Sequence, residues 1–261
     1  MAREAKASKY QQILLSENNK RMCKTTLTLF YLSNTYENGI EHISKTLVLS
    51  LVDEGYNTDS LFSQAADSIQ GFRKKLSPRS AESMCFDMVL EVEVPNADND
   101  SLPGVGFSRE FISCAAGVQL RVVINLNAIS SGEHHVHSAA CCYISSDNGL
   151  DVEKISGIAG VQPSIVYRKG EQGRYTIAKH NAWVLKTHDD SLPEKPIASL
   201  MKEVNNPQSL GQYCREEGLH THIDVTCYGI PSEPVSFQIN SRFFHFCRDM
   251  DVEYADIDMM V

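Results

Sequence analysis

Residues 25–32 read Thr-Thr-Leu-Thr-Leu-Phe-Tyr-Leu, with the apolar side chains of Leu27, Leu29 and Tyr31 at alternate positions. Alternation with a period of two is typical of a β-strand that buries one face. The Asn-Gly pair at 38–39 readily supplies the positive φ of a tight turn. The sequence therefore predicts a hairpin at the start of the regular structure.

The same periodicities predict the other elements of the chain. In the first half, strands are predicted over 46–52, 84–94 and 120–126 and helices over 60–72 and 108–116. In the second half, strands are predicted over 139–145, 182–187, 220–228 and 252–260 and helices over 152–159, 196–204 and 241–250. Ser108 is placed as an N-cap and Gly117 as a helix stop. Gly104-Val105-Gly106 is interpreted as a turn fragment.

The order of elements and some of their residues recur in the two halves. Asn-Gly-Ile at 38–40 matches Asn-Gly-Leu at 148–150, and Leu-Val-Leu at 47–49 matches Trp-Val-Leu at 183–185. Matches that keep their order indicate a diverged tandem duplication. The predicted fold class is α+β, with two tandem repeats that each form a mostly antiparallel β-sheet with helices packed on one face.

The predicted domain scheme has four parts. Residues 1–24 form a polar N-terminal leader, residues 25–127 the first α+β repeat, residues 128–138 a polar linker and residues 139–261 the second repeat. The second repeat carries an insert over 162–181 that has almost no counterpart in the first. An extra loop on one copy is a common place for a specialised function.

Composition narrows the class of protein. The chain has 261 residues, of which 42% are apolar and 22% charged, as in folded globular proteins. Its net charge of −9 argues against binding to nucleic acid or an anionic membrane. The acidic charge suits a cationic partner, or simply keeps the protein soluble. Without a signal peptide or a long apolar run, we expect a cytoplasmic protein with reduced thiols.

The second half contains a recognisable succession of segments. Leu-Asp-Val-Glu-Lys-Ile at 150–155 leads into Gly-Val-Gln-Pro-Ser at 160–164, then Arg-Lys-Gly-Glu at 168–171 and Asn-Ala-Trp-Val-Leu at 181–185. An acidic strand with Asp-Ile-Asp at 256–258 closes the chain. This succession resembles the bacterial domain of unknown function 4279 family.

The resemblance covers residues 139–260 and reaches the first half only through the internal repeat. Ala182 stands where the family usually has Gly before its Trp, and Trp183 is interpreted as a core residue. Members of the family often look like immunity proteins that neutralise toxins exchanged between bacteria. The resemblance thus implies a cytoplasmic immunity or inhibitor protein whose partner is a protein, namely a cationic toxin domain.

Two groups of charged residues are the candidate partner-binding sites. Arg168, Lys169 and Glu171 surround Gly170 and could grip a phosphate or a carboxylate, or could form an ordinary charged turn. The end of the chain is rich in carboxylates that could hold a cationic partner, or deter aggregation if they lie on an edge strand. The candidates there are Asp251, Glu253, Asp256 and Asp258.

Histidines provide the weaker candidates. His220 and His222 lie two apart in a predicted strand, so they share a face next to Asp224. They could form a His/His/carboxylate metal site with it, or belong to a polar strand face. The cluster His134, His135 and His137 falls in the predicted linker, where no further ligand spacing completes a site.

No catalytic residue and no cofactor is predicted. The sequence lacks a Gly-x-x-x-x-Gly-Lys-Ser/Thr loop, a Gly-x-Ser-x-Gly elbow and a Gly-x-Gly-x-x-Gly fingerprint. These absences favour a binding protein over an enzyme. Two alternatives stay open: a small-molecule- or metal-binding protein, with or without enzymatic activity, with its site in the second repeat, and a scaffolding protein that self-associates.

Overall fold

A computed structural model describes residues 24–37, 40–53, 58–75, 84–94, 104–128, 136–172, 177–229 and 234–260. The predicted leader up to residue 23, the Asn-Gly turn at 38–39 and most of the predicted linker lie outside the described residues.

The described residues form an α+β fold with eleven strands and six helices, which confirms the predicted fold class. The strands are β1 (Lys24–Glu37), β2 (Ile40–Asp53), β3 (Cys85–Val94), β4 (Val105–Ser108), β5 (Gln119–Ala128), β6 (His137–Ser146), β7 (Ile165–Tyr167), β8 (Asn181–Asp189), β9 (His220–Tyr228), β10 (Val235–Ile239) and β11 (Tyr254–Met259). The helices are α1 (Thr58–Lys74), α2 (Arg109–Ala116), α3 (Val152–Ala159), α4 (Glu194–Glu203), α5 (Pro207–Glu216) and α6 (Ser241–Asp249).

The strands form two mostly antiparallel sheets. The five-stranded sheet has the order β10-β5-β3-β1-β2, and the six-stranded sheet has the order β4-β11-β9-β6-β8-β7. Among the described strand pairs, β3–β5 and β9–β11 are parallel and the others are antiparallel. Each parallel pair is joined by a crossover that contains one short strand and one helix, since parallel neighbours need a long connection.

Each half of the chain gives one strand to the other sheet. The short strand β4 comes from the first half and pairs with β11, whereas β10 comes from the second half and pairs with β5. The predicted boundary at 128–138 therefore does not separate two self-contained sheets. The segment orders β3-β4-α2-β5 and β9-β10-α6-β11 correspond to one another, but the tandem duplication itself stays a prediction.

One hydrophobic core serves both sheets. Side chains at alternate strand positions, such as Leu27 and Leu29 on β1, are fully buried against the helices. Phe244 of α6 contacts Phe107 and Phe111 of the first half at ring-centroid distances of 5.3 and 5.8 Å. The two halves thus meet through an aromatic cluster where α2 packs on α6.

Local sequence signals fix the ends of several helices. Ser108 caps α2 by accepting a hydrogen bond from the backbone N–H of Phe111, as predicted. Asp151 caps α3 by accepting a hydrogen bond from the backbone N–H of Lys154. Gly160 ends that helix with a φ of 72°. Among the described residues, no helix is long and apolar enough to cross a membrane.

Four elements were not predicted: β4, β7, β10 and α5. The interpretation of residues 104–106 as a turn fragment is wrong, because Val105 and Gly106 belong to β4, which pairs with β11. As a result, the terminal strand β11 lies between β4 and β9 and is not an edge strand.

Candidate functional site

The outer face of the six-stranded sheet collects most of the polar groups that could bind a partner. Along β9, Ile223 and Val225 are fully buried toward the helices, while His222 and Asp224 point to the opposite, partly exposed face. The strand pairings align β6 and β11 with these positions. We name as the outer-face cluster the residues Cys141, Tyr143, His222, Asp224, Tyr254, Asp256 and Asp258.

The register sets the neighbours within this cluster. The parallel pairing of β9 with β11 places Tyr254 beside His222 and Asp256 beside Asp224. The antiparallel pairing of β9 with β6 places Tyr143 on the other side of His222. Neighbouring strands are about 4.8 Å apart, so aligned side chains on one face lie in contact range. The apolar contacts on this face come from strand residues alone.

Three carboxylates share one nearby imidazole in the outer-face cluster. His222 Nε2 lies 3.2 Å from Asp256 Oδ2. Burial raises the pKa of Asp224, and the charge of Asp256 raises it further, against the opposing effects of His222, Thr226 and Lys186. Burial also raises the pKa of Asp258, with Asp256 and Asp224 adding to the shift. The face therefore holds three carboxylates against the imidazole of His222 and the ammonium group of Lys186 on β8, which lies beside Cys141.

Two phenols flank these carboxylates. The ring of Tyr254 stacks on that of His222 with centroids 6.0 Å apart, and its hydroxyl donates a hydrogen bond to Asp59 at 3.2 Å. Tyr143 lies on the other side of His222 at 6.3 Å. Burial raises the pKa of both phenols, so they stay protonated and can donate hydrogen bonds at neutral pH.

Two glycines of the edge segment make room for this arrangement. A Cβ added to Gly106 would collide with the hydroxyl of Tyr254, and one added to Gly104 would lie 2.5 Å from a carboxylate oxygen of Asp258. Glycine at 104 and 106 thus lets the side chains of β11 lie across β4, and the closer contact is the one at Gly106.

The predicted acidic residues at the end of the chain divide into two groups. Asp256 and Asp258 lie in the outer-face cluster. Asp251 precedes β11 and forms ion pairs with Arg109 at 3.5 Å and Arg215 at 3.3 Å. Glu253 forms an ion pair with Arg109 at 3.8 Å and a hydrogen bond with His220 Nδ1 at 2.8 Å.

These contacts engage the carboxylates of Asp251 and Glu253 within the chain itself. Of the four predicted acids, Asp256 and Asp258 are therefore the better placed to meet a partner.

The predicted loop at 168–171 follows β7, at the opposite edge of the same sheet. Four strand-to-strand steps of about 4.8 Å separate β7 from β11, or roughly 19 Å. The backbone N–H of Arg168 donates to the Glu171 carboxylate at 3.2 Å, and Lys169 Nζ lies 3.2 Å from Asp147. Gly170 supplies the positive φ, 86°, that this turn requires. The structure does not bring the loop and the terminal acids into contact.

The histidines predicted as metal ligands pair with carboxylates instead. His220 contacts Glu253, and His222 contacts Asp256. Within the described ranges, no three His, Cys, Asp or Glu side chains converge at metal-ligand spacing. His134 and His135 lie outside those ranges, and His137 stacks on Tyr228 with centroids 4.7 Å apart.

The buried cysteines do not have the character of nucleophiles. Burial raises the pKa of Cys142 to about 12 and that of Cys114 to about 11. Thiols with such values are protonated at neutral pH, and the thiolate is the reactive form.

Cys141, Tyr143 and Tyr254 are members of the cluster that the sequence-based candidates omit. Strict alternation along β9 placed Asp224 beside His222, because it lies two residues after that histidine. The two tyrosines could not be assigned to the site, since their place depends on which strands pair with β9.

Comparison of the chain with known protein families, with curated proteins and with solved structures gives no match in any of the three.

Proposed function

We propose that this chain is a cytoplasmic immunity protein that inhibits a cationic toxin domain by binding it directly through the outer-face cluster. The observation that carries the proposal is the surplus of carboxylates on one open sheet face. Asp224, Asp256 and Asp258 lie on adjacent strands, and two basic side chains, His222 and Lys186, share their face. The resemblance noted in the sequence points to the same class of function.

Electrostatics favours a cationic occupant for this face. The raised pKa values of Asp224 and Asp258 mean that their charged forms are disfavoured in the free protein. An Arg or Lys side chain from a partner would relieve that cost, so part of the binding free energy comes from neutralising existing repulsion. Such a field also accelerates the encounter with a cationic protein.

The flanking phenols add affinity of another kind. Tyr143 and Tyr254 are held by their neighbours, so they lose little side-chain entropy on binding. Tyrosine combines an apolar ring with a polar hydroxyl and is enriched at the centre of protein interfaces.

The loop at 168–171 can belong to the same interface. A standard interface buries about 800 Å² on each partner, which corresponds to a patch roughly 30 Å across. The distance of roughly 19 Å across the sheet falls within such a patch. Arg168 and Lys169 would then form its cationic rim, and Asp256 and Asp258 would lie near its acidic centre.

The first experiment is co-expression with the product of each neighbouring gene, followed by size-exclusion chromatography and a growth assay. We expect a stable one-to-one complex with a toxic neighbour and rescue of growth. No complex and no rescue with any neighbour would contradict the proposal. A stoichiometric transition metal that is lost on changing His220 and His222 to Ala would favour the small-molecule or metal alternative.

The binding face is tested with a matched pair of double variants. Asp256→Asn/Asp258→Asn removes two negative charges from the outer-face cluster and should weaken toxin binding about tenfold or more. Glu91→Gln/Glu93→Gln removes the same charge from exposed positions on β3 of the other sheet and should leave affinity unchanged. Equal effects of the two would indicate that only net charge matters and would reject this face.

A further inference from the structure

The four edge strands of the two sheets differ sharply in length. β10 has 5 residues, β4 has 4 and β7 has 3, whereas β2 has 14. At about 3.3 Å per residue, β2 extends for roughly 46 Å. Among the described strands, β2 pairs with β1 alone. An edge strand exposes a row of unpaired backbone groups, and natural proteins usually keep such edges short or charged.

Between Ile43 and Val52, the side chains of β2 carry few of the charges that usually protect such an edge. Ile43, Leu47 and Val52 are 64%, 59% and 57% exposed, and they span most of the strand. The strand contains neither proline nor glycine, and Lys45 is the one charged residue between Ile43 and Val52. Lys45 is itself held 3.0 Å from Asp87. The edge therefore has the composition of a pairing surface.

A β-bulge in β2 decides which pairing fits. Leu29 of β1 faces Leu49, but the next residue, Phe30, faces Leu47, so Val48 is an extra residue in β2. A bulge reverses the alternation of side chains along its strand. Before it, the odd-numbered residues 43, 45 and 47 lie on the outer face, and after it the even-numbered residues 50 and 52 do.

This reversal makes β2 complementary to itself. Residues opposed across an antiparallel pair must share a face, and in a regular strand a two-fold axis therefore opposes only residues an even number apart. Because of the bulge, a two-fold axis between Leu47 and Val48 opposes Ile43 to Val52 of the second copy and Lys45 to Ser50. Apolar residues then meet at both ends, and no two like charges are opposed.

We propose that two copies of this chain pair through β2, antiparallel and about that axis, to form one continuous ten-stranded sheet. The main-chain hydrogen bonds of the strand pair supply affinity, and the reversed alternation supplies the register. A single strand pair buries less than a standard interface, so a dissociation constant of about micromolar order is expected. The pairing leaves the outer-face cluster of the other sheet free, so it does not depend on the proposed toxin binding.

Sedimentation velocity of the full chain from about 1 to 300 μM tests the pairing. We expect a monomer–dimer equilibrium that Leu47→Lys weakens tenfold or more, because it places two cations beside the axis. Ser236→Lys adds the same charge to exposed β10 and should leave the dimer unchanged. A monomer over the whole range, or a dimer that Leu47→Lys does not affect, would overturn the proposal.

A double cysteine variant tests the register. In Ile43→Cys/Val52→Cys, oxidised glutathione should give a covalent dimer in which residue 43 of one copy is linked to residue 52 of the other. Either single variant should give little covalent dimer. Mass spectrometry of the digested dimer identifies the link. A 43–43 or 52–52 link, which an antiparallel pair with its axis at that residue would give, would overturn the proposed register.

Discussion

The outer faces of the two sheets both carry aspartates, but they differ in how the charge of these carboxylates is compensated. On the five-stranded sheet, Asp87 is nearly fully buried but accepts two hydrogen bonds from Arg121, at 2.8 and 2.6 Å, and one from Lys45 at 3.0 Å. On the six-stranded sheet, three carboxylates outnumber the two basic side chains near them, His222 and Lys186. The first face has its charge balanced internally, and the second does not.

The pKa shifts follow this difference. Burial favours the neutral form of Asp87, yet the hydrogen bonds and charges of Arg121 and Lys45 outweigh it and lower its pKa. For Asp224 and Asp258, burial and like charges act together and raise the pKa. Burial alone therefore does not predict the direction: hydrogen bonds from two cations lower the pKa of Asp87, whereas neighbouring carboxylates help to raise the pKa of Asp224 and Asp258. A face whose carboxylates are already paired with cations attracts a cationic partner only weakly.

The largest expected effect comes from breaking the balanced face. Asp87→Ala leaves Arg121 and Lys45 without their anion and should lower the free energy of unfolding by about 2 kcal/mol, since both cations are half-exposed and can be hydrated. Urea denaturation at neutral pH measures the change. Glu91→Ala, at an exposed position of the same strand, should cost less than about 0.5 kcal/mol. Similar losses for both would mean that the ion cluster contributes nothing.

A second variant disturbs the edge of the unbalanced face. In Gly106→Ala the new methyl group collides with Tyr254, which cannot move without leaving His222 and Asp59. We expect a loss of about 1–2 kcal/mol in thermal or urea unfolding. Gly71→Ala is the control: it lies in α1 with open space around it and should stabilise the protein by about 0.5–1 kcal/mol.

A smaller effect of opposite sign is expected at Asp224. Asp224→Asn removes a carboxylate whose charged form is disfavoured, so the variant should be more stable than the parent by about 0.5 kcal/mol at neutral pH. Asp87→Asn, the same change on the balanced face, should be destabilising. If both variants shift the urea midpoint in the same direction, the contrast between the faces is wrong.

The smallest expected effect is the pH dependence of the stability changes caused by Asp224→Asn and Asp87→Asn. The ordinary pKa of an aspartate is 3.8, and that of Asp224 is raised in the folded state. The folded protein therefore takes up this proton first, and the advantage of Asp224→Asn should fade as the pH drops from 7 toward about 4. The pKa of Asp87 is lowered, so its contribution is fully present above 3.8 and is lost only below it.

Urea midpoints of both variants at about pH 7, 5 and 4 separate the two cases. A disadvantage of Asp87→Asn that disappeared by pH 5 would contradict the lowered pKa.

Local sequence patterns correctly predicted the helices and strands whose limits depend only on their own residues. The boundaries of α3 and β9 were predicted to the residue, because Asp151 and Gly160 mark the helix ends and β9 alternates without interruption. The helix α5 was missed since Gly211 interrupts its apolar spacing. That glycine is required by the close approach of α5 to the backbone of Asp249 and Met250, which only the folded chain reveals.

Prediction of the site has the same limit, because it depends on contacts between residues that are distant in the sequence. The sequence identified Asp256 and Asp258, but it could not separate them from Asp251, whose partners Arg109 and Arg215 are far away in the chain. Nor could it show that β4 and β10 exchange sheets, since strands of 4 and 5 residues carry too few positions to establish a periodicity.

The exchange of strands has a consequence for how the chain becomes native during synthesis. When the first half leaves the ribosome, β4 has no partner, because its partner β11 spans residues 254–259. The outer edge of β5 is also unpaired at that stage, because β10 spans residues 235–239. Contacts between such distant residues slow folding, and open edges favour aggregation in the meantime. Neither sheet can be completed before nearly the whole chain has been translated, so the two halves reach their final form together.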